Sequence, residues 1–149
     1  MRKITSQLLI LITLTSCYFG ANESGVHIID DFYLIGWDQK DWQIVYSLDN
    51  KIYDPEKIIV QHDVFAVGNN KDFIIAKQHP CENTSPHLID FDNPKPNKTV
   101  TNYYIIKIMK GDNNYQIHKF KNENDFRKGK INLGVPNNLE YTFYDEKLE

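Results

Sequence analysis

Cysteine is scarce in this 149-residue chain, with two in all, and so are glycine at seven and proline at six. That scarcity excludes a disulfide-dense miniature scaffold and a collagen-like or low-complexity fibre. There is no run of five like charges, and the net charge is -3. A basic surface that tracks phosphates is therefore not expected, and neither is binding to nucleic acid. No apolar stretch is long enough to span a bilayer as a helix. G-x-S-x-G, a glycine-rich phosphate loop and a Rossmann fingerprint are all missing, so hydrolase, nucleotide and dinucleotide chemistry have no signal, no cofactor is expected, and the protein reads as a non-enzyme. What the chain does have is 41% hydrophobic, 25% charged and 13% aromatic residues, the balance of a single globular domain.

The start of the chain carries the strongest signal. Arg2 and Lys3 form a short positive region, and Leu8-Leu9-Ile10-Leu11-Ile12 opens a compact apolar segment of the export-signal kind. Leu14-Thr15-Ser16-Cys17 follows, and it resembles the lipobox of bacterial lipoproteins. The resemblance implies cleavage after Ser16 and a diacylglycerol on the Cys17 sulfur, with the membrane as first partner and a location on the bacterial cell membrane or outer membrane, facing the periplasm or exterior. Residues 1–16 are then signal peptide, 17–25 the lipidated cysteine and a flexible tether, and 26–149 one domain. Losing Arg2 and Lys3 leaves 15 basic against 20 acidic residues.

From residue 26 on, short aromatic and β-branched runs alternate with Asp, Asn and Gly clusters, the pattern of strands joined by turns. Strands are expected over Asp30–Trp37, Trp42–Leu48, Lys57–Val60, Val64–Val67, Phe73–Lys77, Asn102–Met109, Tyr115–Phe120 and Leu139–Tyr144. Asp31–Trp42 and Asp63–Phe73 share one plan: an acidic start, an apolar strand, a glycine, a polar Lys-Asp turn and an aromatic return. Each predicts a hairpin, with Gly36 and Gly68 supplying a positive φ or a bulge. Tyr104, Ile106 and Ile108 point one way, into the core, and Tyr103, Ile105 and Lys107 the other. Asn122 caps a helix that Gly134-Val135-Pro136 ends, with Phe126 and Leu133 toward the sheet and Gly129 in close packing with a strand. The expected fold is α+β and mainly β: an antiparallel sheet of hairpins with one short C-terminal helix.

Chemistry is sought first in the proline-rich stretch between Pro80 and Val100, because a long irregular connection in a small domain is usually functional. His79, Cys81 and His87 sit at its entrance and could contact a ligand. Their spacing matches no metal motif, so no metal site is assigned. Cys81 as a nucleophile would need a base, and His62, His79 or His87 could fold beside it. Trp37 and Trp42 flank the first hairpin turn, where exposed aromatics could grip a ligand or partner; packing in the core is the favoured role for Trp42.

At Val64–Pro80, Tyr103-Tyr104-Ile105-Ile106 and Leu133-Gly134-Val135-Pro136 the chain resembles a family of small bacterial lipoproteins with a domain of unknown function. That resemblance implies a lipoprotein with one small domain and transfers no site residue. The expected role is a binding or accessory protein of the cell envelope. The alternative is an inhibitor or immunity-type protein that covers a toxin or hydrolase there; a thiol enzyme or metalloprotein is a more distant third.

Overall fold

A computed structural model describes residues 23–37, 40–49, 51–52, 54–81, 95–110 and 114–144. Cys17 and His87 lie outside these residues, as does most of the stretch after Cys81. Two antiparallel sheets and a helix form three layers. The first sheet runs β1(Glu23–Ile29), β2(Phe32–Trp37), β3(Lys40–Tyr46), β4(Ile58–Val60), each strand pairing with the next. The second contains β5(Val64–Asn69), β6(Phe73–Gln78), β7(Asn102–Ile108), β8(Tyr115–Phe120) and β9(Thr142–Phe143), in the order β8-β7-β6-β5-β9. The α-helix among the described residues, α1, covers Glu123–Leu133.

The mainly-β expectation with a late helix is met, but the hairpins divide between two sheets. The two look-alike hairpins are β2–β3 and β5–β6, and each belongs to a different sheet. The reason lies in the second sheet's apolar content. Phe73-Ile74-Ile75-Ala76 is buried throughout, as expected of a strand covered on both faces rather than one. Ile74, Ala76, Tyr104 and Ile106 pack against Phe32, Leu34, Trp42 and Ile44 of the first sheet. Phe73, Ile75 and Ile105 pack against Phe126 of the helix, with Tyr103, Phe120 and Leu133 alongside. Each fully buried Ile or Leu contributes roughly 1.5–3 kcal/mol, so this twice-covered sheet anchors the fold.

Local chemistry explains the helix ends. The Asn122 side chain accepts from the Asp125 N–H at 2.9 Å, and Gly134 takes the left-handed conformation, φ 75°, that closes the last turn. The two hairpin glycines act differently from one another. Gly36 sits where the β2–β3 register shifts, a bulge, whereas Gly68 keeps regular register and has no positive φ. Gly68 is needed for proximity: a Cβ there would lie 2.1 Å from the Glu140 carbonyl oxygen. β1 is an addition to the expected strands, and its first residues, Glu23–Gly25, belonged to the expected tether. They pair with Ile35–Trp37, whose open backbone edge recruits a segment that has no alternation of its own to announce a strand.

Candidate functional site

The chain passes from the first sheet to the second over Gln61, His62 and Asp63, and this switch makes a polar corner. Asp63 stands at φ 64° and Asp41, at the start of β3, at φ 53°, both left-handed. Asp tolerates that region better than most side chains, yet the conformation still costs energy and such residues gather at functional sites. His62 is buried, and its Nδ1 meets the Gln43 Nε2 at 2.8 Å. Burial depresses the imidazole's affinity for a proton below its ordinary value, partly offset by the Asp41 carboxylate. Gln43 is buried too, and its Oε1 has no hydrogen-bond partner among the described residues.

Beneath the corner, on the face of β6 and β7 that looks at the first sheet, Gln78 is a hub. Its amide nitrogen donates to the carbonyls of Gln61, at 2.9 Å, and His62, at 3.0 Å. Its amide oxygen accepts from Asn102 Nδ2 at 3.1 Å and from the Tyr104 hydroxyl at 2.8 Å. All four hydrogen-bonding positions of that amide are used, so the group can be buried without penalty. Desolvation pushes the Tyr104 hydroxyl up to about 12, which keeps it a donor. Above this floor is a cleft of about 110 Å³, lined by Gln61, His62, Gln78, Pro80, Cys81, Asn102 and Lys119.

The residues selected from sequence divide here. Cys81 does line the cleft, pairing across the backbone with Pro96. Its thiol is pushed up to about 11, first by burial and then by the Asp63 and Asp41 carboxylates, so it stays protonated at neutral pH and is a poor nucleophile. His79 is turned elsewhere: its ring stacks on Phe65 at 4.2 Å, and its Nδ1 lies 2.9 Å from the Val100 carbonyl. The histidine at the cleft is therefore His62. Trp42 is 8% exposed and packs edge-on to Tyr144, so it serves the core, as favoured above, and presents no open ring to a ligand. Trp37 ends β2, with its backbone paired to Glu23 and Lys40, and its side chain lies outside the description.

Gln78, Asn102 and Lys119 were not singled out from sequence. The available signal was position: Gln78 and Asn102 are polar residues at the ends of two strongly apolar strands, and they pair directly in the β6–β7 register. Among the described residues no three His, Cys, Asp or Glu side chains come together as a metal-binding group. A family model described as a protein of unknown function (DUF3997) matches residues 29–147. No curated protein and no solved structure matches the chain.

Proposed function

This chain belongs to the DUF3997 family of proteins of unknown function, and from that premise we propose that it is a lipid-anchored module of the bacterial cell envelope that binds a ligand rather than converting it. The anchoring rests on one observation: the sequence Leu14-Thr15-Ser16-Cys17 after a basic and then an apolar segment. Acyl chains contribute about 0.8 kcal/mol per buried methylene, so the two or three chains of such an anchor hold a protein durably on a bilayer.

The start of β1 supports a close seat on the membrane. Only Tyr18 to Asn22 separate Cys17 from Glu23, a reach of about 20 Å when fully extended. The domain would stand beside the headgroups rather than at the end of a long stalk. The binding role is supported by the chemistry of the corner: a neutral imidazole and a protonated thiol, beside the residues Asn102 and Gln61 that also line the cleft, favour holding a polar group over attacking one.

Growing cells on an alkyne fatty acid and coupling a dye to the purified full-length protein tests the anchor. The wild type is expected to take the dye, with an intact mass that begins at a diacylglyceryl Cys17; Cys17→Ala is expected to take none. Equal labelling of the two, or a wild-type mass that retains residues 1–16 without lipid, overturns the reading.

A further inference from the structure

Among the described residues that line the polar cleft, Lys119 is the one cation and none is a carboxylate; the Asp63 and Asp41 carboxylates lie near enough to Cys81 to raise its thiol but are not part of the lining. Its ammonium lies 5.5 Å from the centre of the Tyr104 ring. Among the described residues it forms no ion pair, although four other pairs bring lysine or arginine onto Asp or Glu. Lysine carries three donors and no acceptor, and Lys119 is exposed, so its ammonium meets an anion at the open mouth of the cleft. The aromatic face that holds it leaves those donors available.

The floor selects among anions. Gln78 spends both amide hydrogens and both lone pairs inside the protein, so it positions its neighbours and offers nothing outward. Asn102, held through one amide hydrogen by Gln78, and Gln61, at the rim, bring uncharged amides to the same space. One cation with flanking amides suits a planar, singly charged acceptor better than a dianion. Volume sets the scale: about 110 Å³ is several times the roughly 10–15 Å³ that one water needs, room for a small head group.

We propose that the cleft between Gln61, Asn102 and Lys119 is a receptor for a carboxylate head group, with the ammonium of Lys119 as its counter-charge and the amides of Asn102 and Gln61 as its hydrogen-bond partners. The carboxylate could belong to a free small acid or to the end of a peptide, since both present the same four atoms. The proposal does not depend on lipid attachment, so a failed labelling experiment leaves it standing and its own failure leaves the anchor standing.

The test uses the full-length protein in detergent micelles, titrated with acetate, N-acetylglycine and acetamide while the side-chain amide NMR signals are followed. Acetate and N-acetylglycine are expected to move the Asn102 and Gln61 signals, and acetamide, of the same shape without the charge, to leave them in place. Tighter binding of N-acetylglycine identifies a peptide end as the source; equal binding identifies a free acid. Lys119→Gln is expected to weaken acetate by about threefold, the scale of an exposed ion pair. Lys121→Gln, an exposed neighbour that does not line the cleft, should bind as the wild type does. Equal response to acetamide, unmoved Asn102 signals, or equal losses in the two lysine variants overturns the proposal.

Discussion

The interior between the two sheets ends in opposite ways. At one end Phe32, Tyr46 and Tyr115 pack in tilted and edge-on pairs with ring centres 4.8 to 5.6 Å apart, and Asn114 donates to the Tyr46 hydroxyl. At the other, Gln78, Asn102 and Tyr104 assemble a hydrogen-bonded floor under an open cleft. One strand, β8, reaches both ends, with Tyr115 at the first and Lys119 at the second. Aromatic rings close a sandwich by area and tolerate small shifts, whereas a buried amide hub tolerates none, because each of its bonds is stabilising only while all are made. A fold with no requirement at the open end could have closed it as it closed the other.

The largest test of that contrast is Gln78→Leu. It leaves Asn102, the Tyr104 hydroxyl and the carbonyls of Gln61 and His62 without their partner, at about 1–3 kcal/mol for each group that water cannot reach. The expected loss is about 3–5 kcal/mol by urea denaturation, and adding Asn102→Leu should cost less than the sum of the two single changes. A loss below about 1 kcal/mol would mean that the hub is no more demanding than the aromatic end.

Next in size are the two glycines at close approaches. Gly68→Ala sets a Cβ against the Glu140 backbone carbonyl, which cannot rotate away, and is expected to cost about 2–3 kcal/mol and to loosen β9 from β5. Gly129→Ala meets the Phe120 ring, at 2.3 Å, on the far side of the second sheet. That ring can yield, and alanine regains about 1 kcal/mol of helix propensity, so its net cost should be about 1 kcal/mol. Thermal unfolding of both variants orders them, and a reversed order would make the helix layer the stiffer one. Tyr46→Phe, which removes one hydroxyl from the aromatic end, should cost about 1 kcal/mol by the same measurement.

These contrasts were unevenly legible in the sequence. The helix was readable to its caps, because Asn122, Gly134 and the Phe126–Leu133 spacing are local signals that its tertiary neighbours reinforce. Eight strands were readable from β-branched runs, but their division into two sheets was not, since the pattern of one strand does not say which strand it meets. β1 was hidden because Ser24 and Gly25 have low strand propensity and are held by a partner's edge. At the site, Cys81 was readable as a reactive residue type and His62 as one of three histidines that could join it, while the choice among the three was not. His79 is two residues away and His62 nineteen, yet a strand-to-strand switch brings His62 to the cleft and stacking on Phe65 takes His79 away. Gln78 and Asn102 draw their meaning from pairing with each other, which no single segment contains.

The smallest effect is electrostatic and belongs to the polar end alone. In the unfolded chain His62 takes up a proton at its ordinary pKa of 6.5; in the fold, burial lowers that value. Between the two values the unfolded chain binds more protons than the native one, so stability is full above pH 6.5 and falls as pH drops through the window beneath it. The Asp41 carboxylate draws the proton back toward the ring and trims the effect, which is why it ranks last. His62→Gln should flatten this part of the curve of stability against pH, measured by urea denaturation at steps from neutral to mildly acid, while Tyr46→Phe shifts the whole curve without changing its slope there. If both variants keep the wild-type slope, His62 takes up its proton in the fold as readily as in water, and the polar end is wetter than its burial implies.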